Sequence, residues 1–287
     1  MKRSPKKMTS GRKNRGASLK AIASLALAAW FLAAAGACKA ELVGRWPMDE
    51  GSGTKIYDDS GYGNEGTISG AGWADGIRGS GLVFDGIDDY VEVPCSASLD
   101  IRNGITIMAW ARAEEHKTAK IVEKGDWDGH GLALDKWRGW KGGVYIDGDR
   151  RYSLDWGEGR PELARWYHLA VTYDGESLKL YVDGRQVSAS DVIGSLKINK
   201  RDAFIGSNGG AQKFFSGTID AAMIHDRALS AEEIEEHYNE YTGVKTIIRI
   251  NFQPGGSEVP EGYAADDGSP YGPQEAFSLE YGWRRER

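Results

Sequence analysis

The chain has 287 residues, 40% of them hydrophobic, which is enough for one large domain or two small ones with a substantial core. Its net charge is −6, and residues 1–40 hold nine basic and no acidic residues, so the remainder carries −15. Such an acidic chain is unsuited to nucleic acid or an anionic membrane surface, and suits divalent cations and neutral polymers. Acidity for solubility alone is the simpler alternative.

The first 40 residues read as a secretory signal. Basic residues without acids come first, an apolar run follows from Ala21 to Ala35, and a patch of small residues ends at Ala40. Cleavage directly before Cys38 would produce a bacterial lipoprotein, whereas cleavage after Ala40 would release a soluble protein. An uncleaved membrane anchor is the third alternative. No later stretch is typical of a membrane span, so we expect a secreted, cell-surface or periplasmic protein.

The second cysteine of the chain, Cys95, has no disulfide partner if Cys38 is removed or lipidated. Unpaired cysteines behave as small apolar side chains and are often buried. We therefore expect Cys95 to be buried and unreactive.

Short apolar runs separated by Gly, Asp, Asn or Ser predict twelve β-strands after the signal. They are Leu42–Met48, Leu82–Phe84, Tyr90–Val93, Ile105–Arg112, Lys120–Lys124, Leu132–Asp135, Gly143–Asp147, Arg151–Asp155, Trp166–Tyr173, Leu178–Val182, Ala203–Gly206 and Thr218–His225. Both faces of the run Ile105–Arg112 are largely apolar, which predicts a central strand. With 39 glycines in the chain, the pattern favours an all-β sandwich or jelly roll.

The strongest local prediction is a hairpin between Trp166–Tyr173 and Leu178–Val182. Asp174-Gly175 opens the turn between these strands, and Asp183-Gly184 starts the next turn. Asp-Gly pairs tolerate the positive φ angles that tight hairpin turns require.

One helix is predicted after Leu229. Ser230 is a good N-cap, and Glu233 three residues later completes a capping box, while Leu229 and Ile234 form a hydrophobic staple. The spacing of three to four residues predicts a face turned to the sandwich, consisting of Ile234, Tyr238 and Tyr241.

The last 44 residues change character. A strand-like run, Thr246–Phe252, leads into a stretch rich in Pro, Gly and acidic residues. Its Gly-Tyr, Asp-Gly and Tyr-Gly-Trp pattern resembles the start of a β-sandwich module found with bacterial polysaccharide-degrading and carbohydrate-binding proteins. The segment is too short for a complete sandwich, so residues 244–287 are either a truncated second β module or a disordered tail.

Five motifs in one order carry a family resemblance across roughly residues 41–241. They are Trp46–Gly53, Asp59–Asn64, Phe84–Val91, the hairpin from Trp166 to Gly184, and Gly217–Ser230. The chain resembles the laminin-G-like branch of the concanavalin A-like lectin/glucanase superfamily. The resemblance implies an antiparallel two-sheet jelly-roll sandwich over residues 41–243, closed by one short C-terminal helix. It also implies a role mainly in recognition.

Acidic turns suggest a calcium site, because Ca²⁺ prefers carboxylate, amide and backbone oxygens. The candidate ligands are Asp49, Asp59, Asn64 and Asp220. Laminin-G-like domains often bind one structural calcium ion, which supports the prediction. The alternative is that these residues only stabilise turns through side-chain to backbone hydrogen bonds.

Tryptophans in a loop-rich region suggest a carbohydrate site, because an exposed indole offers a flat apolar face to a sugar ring. The candidate contacts are Trp127, Trp137, Trp140 and Trp156, with Asp126 for hydroxyl groups. The alternative is that they anchor the core, as we expect for Trp46, Trp110 and Trp166.

Catalytic patterns are weak. Retaining glucanases of this fold carry two carboxylates on one strand face, with the signature E-x-D-x-x-E, and no predicted strand has it. His168 is expected to be a hydrogen-bonded core residue. We therefore predict an exported, non-catalytic module that binds polysaccharide or glycoconjugate and holds structural calcium. The alternatives are a protein-interaction or structural module that binds another extracellular protein, and a fragment of a polysaccharide-degrading enzyme.

Overall fold

The computed structural model describes residues 42–125, 129–148 and 150–243, together with the backbone of four short strands further along the chain. The expected signal segment lies outside the described residues, as do Asp126 and Trp127. Beyond residue 243, Arg249–Asn251 pairs in parallel with Tyr263–Ala265, and Gly272–Gln274 pairs antiparallel with Leu279–Tyr281.

Strands dominate residues 42–243. In chain order they are β1 (Leu42–Trp46), β2 (Lys55–Ile56), β3 (Gly66–Ser69), β4 (Gly72–Asp75), β5 (Ser80–Asp85), β6 (Tyr90–Val93), β7 (Ile105–Ala113), β8 (Ala119–Lys124), β9 (His130–Asp135), β10 (Gly139–Ile146), β11 (Arg150–Asp155), β12 (Trp166–Tyr173), β13 (Ser177–Val182), β14 (Arg185–Asp191), β15 (Ala203–Ile205) and β16 (Ser216–His225). A 3₁₀ turn spans Ala97–Leu99, and helix α1 spans Ala231–Thr242.

The strands form two antiparallel sheets of eight strands each. The first sheet has the order β14-β13-β12-β7-β16-β5-β4, with β1 also paired to β16, and the second has the order β11-β10-β9-β8-β15-β6-β3-β2. One continuous apolar core contains side chains from both sheets. The predicted all-β jelly-roll sandwich is confirmed.

The core explains why β7 lies at the centre of the first sheet. Its residues are buried on both faces, with only Arg112 partly exposed. It pairs with β12 from Trp166 opposite Arg112 to Tyr173 opposite Ile105, and with β16 on its other side. An apolar strand of this kind gains most from a position where no edge faces solvent.

The predicted hairpin forms between β12 and β13. In the next turn, between β13 and β14, Asp183 and Gly184 have φ angles of 53° and 75°, the two left-handed conformations of a type I′ turn. In the preceding turn, Asp174 Oδ1 accepts hydrogen bonds from the backbone N–H groups of Glu176 and Ser177 at 2.9 and 2.7 Å. Turn chemistry therefore determines the register of this hairpin.

Helix α1 begins as predicted. Ser230 Oγ accepts a hydrogen bond from the Glu233 backbone N–H at 3.3 Å, and the Ser230 N–H donates to Glu233 Oε2 at 2.7 Å. The helix ends at Gly243, which adopts the left-handed conformation of a C-cap. Ile234 is buried in a second small cluster with Leu229 on the outer side of the first sheet. Capping box and staple are thus confirmed.

Four strands were not predicted from the sequence, namely β2, β3, β4 and β14. They are short or largely solvent-exposed, and β14 shows no alternation between buried and exposed positions. Without a buried face, a strand has no periodic apolar signal.

Cys95 corrects one expectation. It is a free cysteine exposed to solvent and follows β6 in a loop whose backbone is held by Asp202 Oδ1, 2.7 Å from the Cys95 N. The predicted buried position is therefore wrong.

Candidate functional site

The structure separates the described candidate tryptophans into different environments. Trp140 lies on β10 with no exposed surface, and its ring centroid is 5.5 Å from that of Tyr167. Trp156 is partly buried and packs edge-on against the same tyrosine at 5.6 Å. This corrects the expectation for Trp140, whose ring has no surface to offer a sugar, and gives Trp156 a packing role.

Trp137 is the exposed member of the set, with 65% of its surface accessible. It lies in the tight turn between β9 and β10, where Asp135 Oδ1 accepts hydrogen bonds from the N–H groups of Trp137 and Arg138 at 2.9 and 3.0 Å. The Arg160 guanidinium lies 4.7 Å from the ring centroid. Lys136 Nζ also lies over this ring at 5.3 Å, so the turn presents a largely exposed indole that already contacts two cations.

A groove of about 170 Å³ lies on the outer face of the second sheet, over β8 to β11. Alternation along β9 turns Leu132 and Leu134 inward, so Gly131 and Ala133 face the groove. Gly143 of β10 lies directly opposite Gly131. Three small residues, Gly131, Ala133 and Gly143, thus line the groove floor, and a Cβ atom at either glycine would overlap the backbone of the neighbouring strand.

A buried ion pair lies on β8 beside these small residues. Lys120 and Glu123 are opposite Ala133 and Gly131 in the sheet, are 6% and 2% exposed, and form a salt bridge with each other. Burial lowers the pKa of Lys120 and raises the pKa of Glu123, and the attraction within the pair opposes both changes. Mutual attraction thus offsets part of the cost of burying the two groups.

Polar side chains complete the groove. Its remaining charged and hydroxyl-bearing lining residues are Thr118, Asp135, Lys141, Arg151, Ser153 and Lys213. Lys141 Nζ is 3.0 Å from Asp155 Oδ1, and Arg138 Nη1 is 3.1 Å from Asp155 Oδ2. Donors and acceptors therefore surround an open floor, as ligand sites for polar molecules require. Neither the sequence pattern nor any motif singled out this groove.

The structure brings two of the four calcium candidates together, Asp49 and Asp220. They meet at the turn between β4 and β5, where Asp49 Oδ1 accepts from the Ser80 N–H at 3.1 Å and Asp220 Oδ2 accepts from the Ile77 N–H at 2.9 Å. A Cβ atom at Gly76 would overlap Asp220, and one at Gly79 would overlap Asp49. Glycines at these turn positions thus permit the close approach of both carboxylates.

Asp220 lies at the point along β16 where its neighbouring strand changes from β5 to β1. This strand pairs with β5 through Ile219 and with β1 from Ala222 onward, and Ala221 between them has a left-handed φ of 48°. Asp220 is completely buried, and its Oδ1 has no hydrogen-bond partner among the described residues. Burial raises the pKa of Asp220 to about 7, against several backbone hydrogen bonds that lower it, and the negative charge of Asp49 adds to the rise.

The other two calcium candidates lie in the loop before β3. Asn64 is buried, its Nδ2 donates to the Val43 carbonyl at 2.6 Å, and its Oδ1 accepts from Ser96 Oγ at 2.6 Å. Asp59 is exposed. Asp58 organises this loop by accepting from the backbone N–H groups of Ser60 and Asn64. The side chain of Asn64 therefore serves the fold, as the turn-building alternative describes.

His168 is buried, as expected, between aromatic rings of the first sheet and helix α1. Its ring centroid is 5.2 Å from that of Trp110 and 6.2 Å from that of Tyr238. The expected side-chain hydrogen bond is not formed at Nδ1, which has no partner among the described residues. Burial lowers the pKa of His168 to about 3, with a further decrease from the nearby His237.

A family model described as the concanavalin A-like lectin/glucanases superfamily matches residues 85–235, more than half of the chain. The chain belongs to this superfamily. The matched region includes β7 to β16 and the first turn of α1, and so contains the groove.

Among curated proteins, pappalysin-1 of mouse and of human is 30% identical over 126 residues, which cover 38% of this chain and 8% of pappalysin-1. The chain thus spans only a small part of these relatives.

Solved structures share the fold. The binding domain of Paraclostridial Mosquitocidal Protein 1 has a TM-score of 0.61 at 17% identity, over 73% of this chain and 54% of that one. Domain 4 of AbnA, a GH43 extracellular arabinanase from Geobacillus stearothermophilus, was solved in complex with arabinotriose. It has a TM-score of 0.57 at 20% identity, over 69% of this chain and 98% of that one.

Within the described part of the chain, no helix has both the length and the apolar character needed to cross a membrane.

Proposed function

We propose that this protein is an exported, non-catalytic module that binds carbohydrate in the groove over β8 to β11. The observation that carries the proposal is the groove itself, in which outward-facing Gly131, Ala133 and Gly143 leave an open floor surrounded by polar side chains. A sugar chain needs such a surface, because it presents hydroxyl groups at its edges and small apolar patches on its ring faces.

Trp137 extends the site beyond the groove. Its turn directly follows Asp135, which lines the groove, and its indole is accessible to solvent. We propose that a sugar ring stacks on this indole while neighbouring units lie over the glycine and alanine floor. Of the four tryptophans predicted to contact sugar, Trp137 is the one whose described environment supports that role.

Similar proteins support a binding role. The arabinanase domain that shares this fold was solved with arabinotriose, and the mosquitocidal protein contributes a binding domain. Both are under 25% identical to this chain, so they support the fold and a binding role, and the residues of this chain support the position of the site.

We further propose that Asp49 and Asp220 hold a structural calcium ion. The buried Oδ1 of Asp220, which has no hydrogen-bond partner among the described residues, and the nearby carboxylate of Asp49 are hard oxygen donors beside the β4–β5 turn. The buried carboxylate of Asp220 and the exposed carboxylate of Asp49 repel each other, and a divalent cation between them would relieve that repulsion. The ion would connect the β4–β5 turn to β16, which supports a structural role.

The experiment that tests the carbohydrate site is a glycan screen by thermal unfolding of the full chain, followed by calorimetric titration. A ligand that binds only the folded state raises the melting temperature by mass action. The key variant is Ala133→Trp, which fills the groove from an outward-facing position. Its matched control is Ala189→Trp, on an exposed position of β14 in the other sheet.

We expect at least one glycan to bind the wild-type chain and the Ala189→Trp variant. The same glycan should show no measurable binding to Ala133→Trp. Equal binding by all three would place the ligand elsewhere and refute the groove. If none of the glycans raises the melting temperature, the protein-interaction alternative would be favoured.

A further inference from the structure

The charge of the groove differs from that of the rest of the chain. After the basic N-terminal segment, the chain has a net charge of −15. The groove lining nevertheless contains four basic residues, Lys120, Lys141, Arg151 and Lys213, against one acidic residue, Asp135. A local excess of cations in an acidic protein needs a local explanation.

These cations converge on one carboxylate. Lys120 is ion-paired to Glu123, and Arg151 and Lys213 are both close enough to act electrostatically on each member of this pair. Their positive charge opposes the protonation of Lys120, in addition to the larger effect of burial. One buried carboxylate therefore faces three cationic groups.

The rim adds two cations and two carboxylates, and its carboxylates already have partners. Lys141 and Arg138 share the carboxylate of Asp155, with each cation contacting a different oxygen. Asp135 directs one oxygen to the backbone N–H groups of the Trp137 turn. The carboxylates around the groove are thus already engaged, and they balance only part of its positive charge.

Stability offers a poor explanation for this arrangement. Removing two ions from water is costly, and a buried ion pair often contributes no more to stability than well-packed apolar residues would. The outer face of a sheet can be covered by apolar or neutral polar side chains at lower cost. Charged groups retained beside an open groove are better explained by an anionic ligand.

We infer that the glycan bound in this groove carries negative groups, either uronate carboxylates or sulfate esters. This inference rests on the proposed carbohydrate site and specifies its ligand class. Arg151 is the main contact, because its exposed guanidinium can form paired hydrogen bonds with two oxygens of one anionic group. Lys213 and Lys141 supply further charge along the groove.

The test uses two matched pairs of polysaccharides with the full chain. One pair is polygalacturonate and its methyl ester, and the other is a sulfated galactan and its desulfated form. Binding is measured by calorimetric titration at low and at moderate NaCl concentration. The variants are Arg151→Gln, Arg151→Glu and the groove-filling Ala133→Trp, with Lys179→Gln on β13 of the other sheet as the charge-matched control.

We expect one charged polymer to bind, its uncharged counterpart to bind at least about tenfold more weakly, and added salt to weaken binding. The pair that responds identifies carboxylate or sulfate as the recognised group. Arg151→Gln should weaken binding about tenfold, Arg151→Glu more, and Lys179→Gln should leave it unchanged.

Equal binding of charged and uncharged forms, blocked by Ala133→Trp, would overturn the anionic ligand and leave the carbohydrate groove standing. Binding of a charged polymer that neither Arg151→Glu nor Ala133→Trp affects would overturn both. Unfolding curves of each variant show whether a loss of binding reflects a loss of fold.

Discussion

Trp110 of β7 and Tyr238 of α1 stack with their ring centroids 5.6 Å apart and their planes at 19°. Tyr241 adds a tilted contact with the same indole at 5.9 Å. The single helix of the domain is thus anchored to the most central strand of the first sheet by aromatic contacts, in addition to the packing of Ile234.

This stack should contribute measurably to stability. We predict that Tyr238→Ala lowers the free energy of unfolding by about 2 kcal/mol, because it removes buried ring surface and the stacked pair. Tyr238→Phe keeps the ring and should change stability by less than about 0.5 kcal/mol. Urea unfolding measures both, and an equal effect of the two substitutions would assign the role to the hydroxyl group instead.

Trp137 and Trp140 should respond oppositely to the same substitution. Trp140→Ala empties a fully buried site and should cost about 3–5 kcal/mol of stability. Trp137→Ala removes an exposed ring and should change stability by less than about 1 kcal/mol while reducing glycan binding. Melting temperature and titration on the same samples separate the two effects. A large loss of stability for Trp137→Ala would assign it to the core.

Ionisation of Asp220 should lower the stability of the calcium-free protein as the pH rises. Its folded pKa of about 7 lies above the ordinary value near 4, so its stabilising protonated form is fully present below pH 4 and lost as pH rises through 7. In chelator, raising the pH from 5 to 8 should therefore destabilise the wild-type chain relative to Asp220→Asn.

Calcium should reverse that trend, because the ion binds the ionised carboxylate. The melting temperature of the wild-type chain should then rise with calcium at pH 8, and that of Asp220→Asn should not. Asp191→Asn, at an exposed position of β14, is the control and should follow the wild type. If calcium leaves the melting temperature of the wild-type chain unchanged at pH 8, the proposed site is refuted.

His168 should act in the opposite pH direction. Its folded pKa of about 3 lies below the ordinary 6.5, so the unfolded chain takes up a proton first and stability falls as pH drops from 6.5 towards 3. In that range the free energy of unfolding of His168→Gln should fall less steeply than that of the wild type, by up to about 1.4 kcal/mol per pH unit. Urea unfolding between pH 7 and 4 measures the slope, and parallel curves would contradict the prediction.

Local chemistry explains which parts of the fold were predictable. The β12–β13 hairpin and the start of α1 depend on Asp-Gly turns and a capping box, and both are contained within a few consecutive residues. Strand β14 has no buried face and therefore no alternating pattern. Sequence periodicity reports burial, so it misses strands that the sheet adds at an exposed edge.

The candidate sites were less predictable, because they depend on contacts between distant parts of the chain. Asp49 and Asp220 are 171 positions apart and meet only through the β4–β5 turn. The glycines and charges around Trp140 predict a loop, although the glycines belong to β10. The groove is defined by the small size of Gly131, Ala133 and Gly143, and small residues carry no chemical signature.

The pairing of β1 with β16 has a mechanical consequence. Leu42, where the domain begins, lies opposite His225, and α1 then returns its end to β1, where Tyr241 interacts with Arg45. We expect tension applied between Leu42 and His225 to separate β1 from β16 starting at that end of the ladder, because these two residues pair there. The groove lies on the other sheet and should therefore keep its shape while β1 detaches.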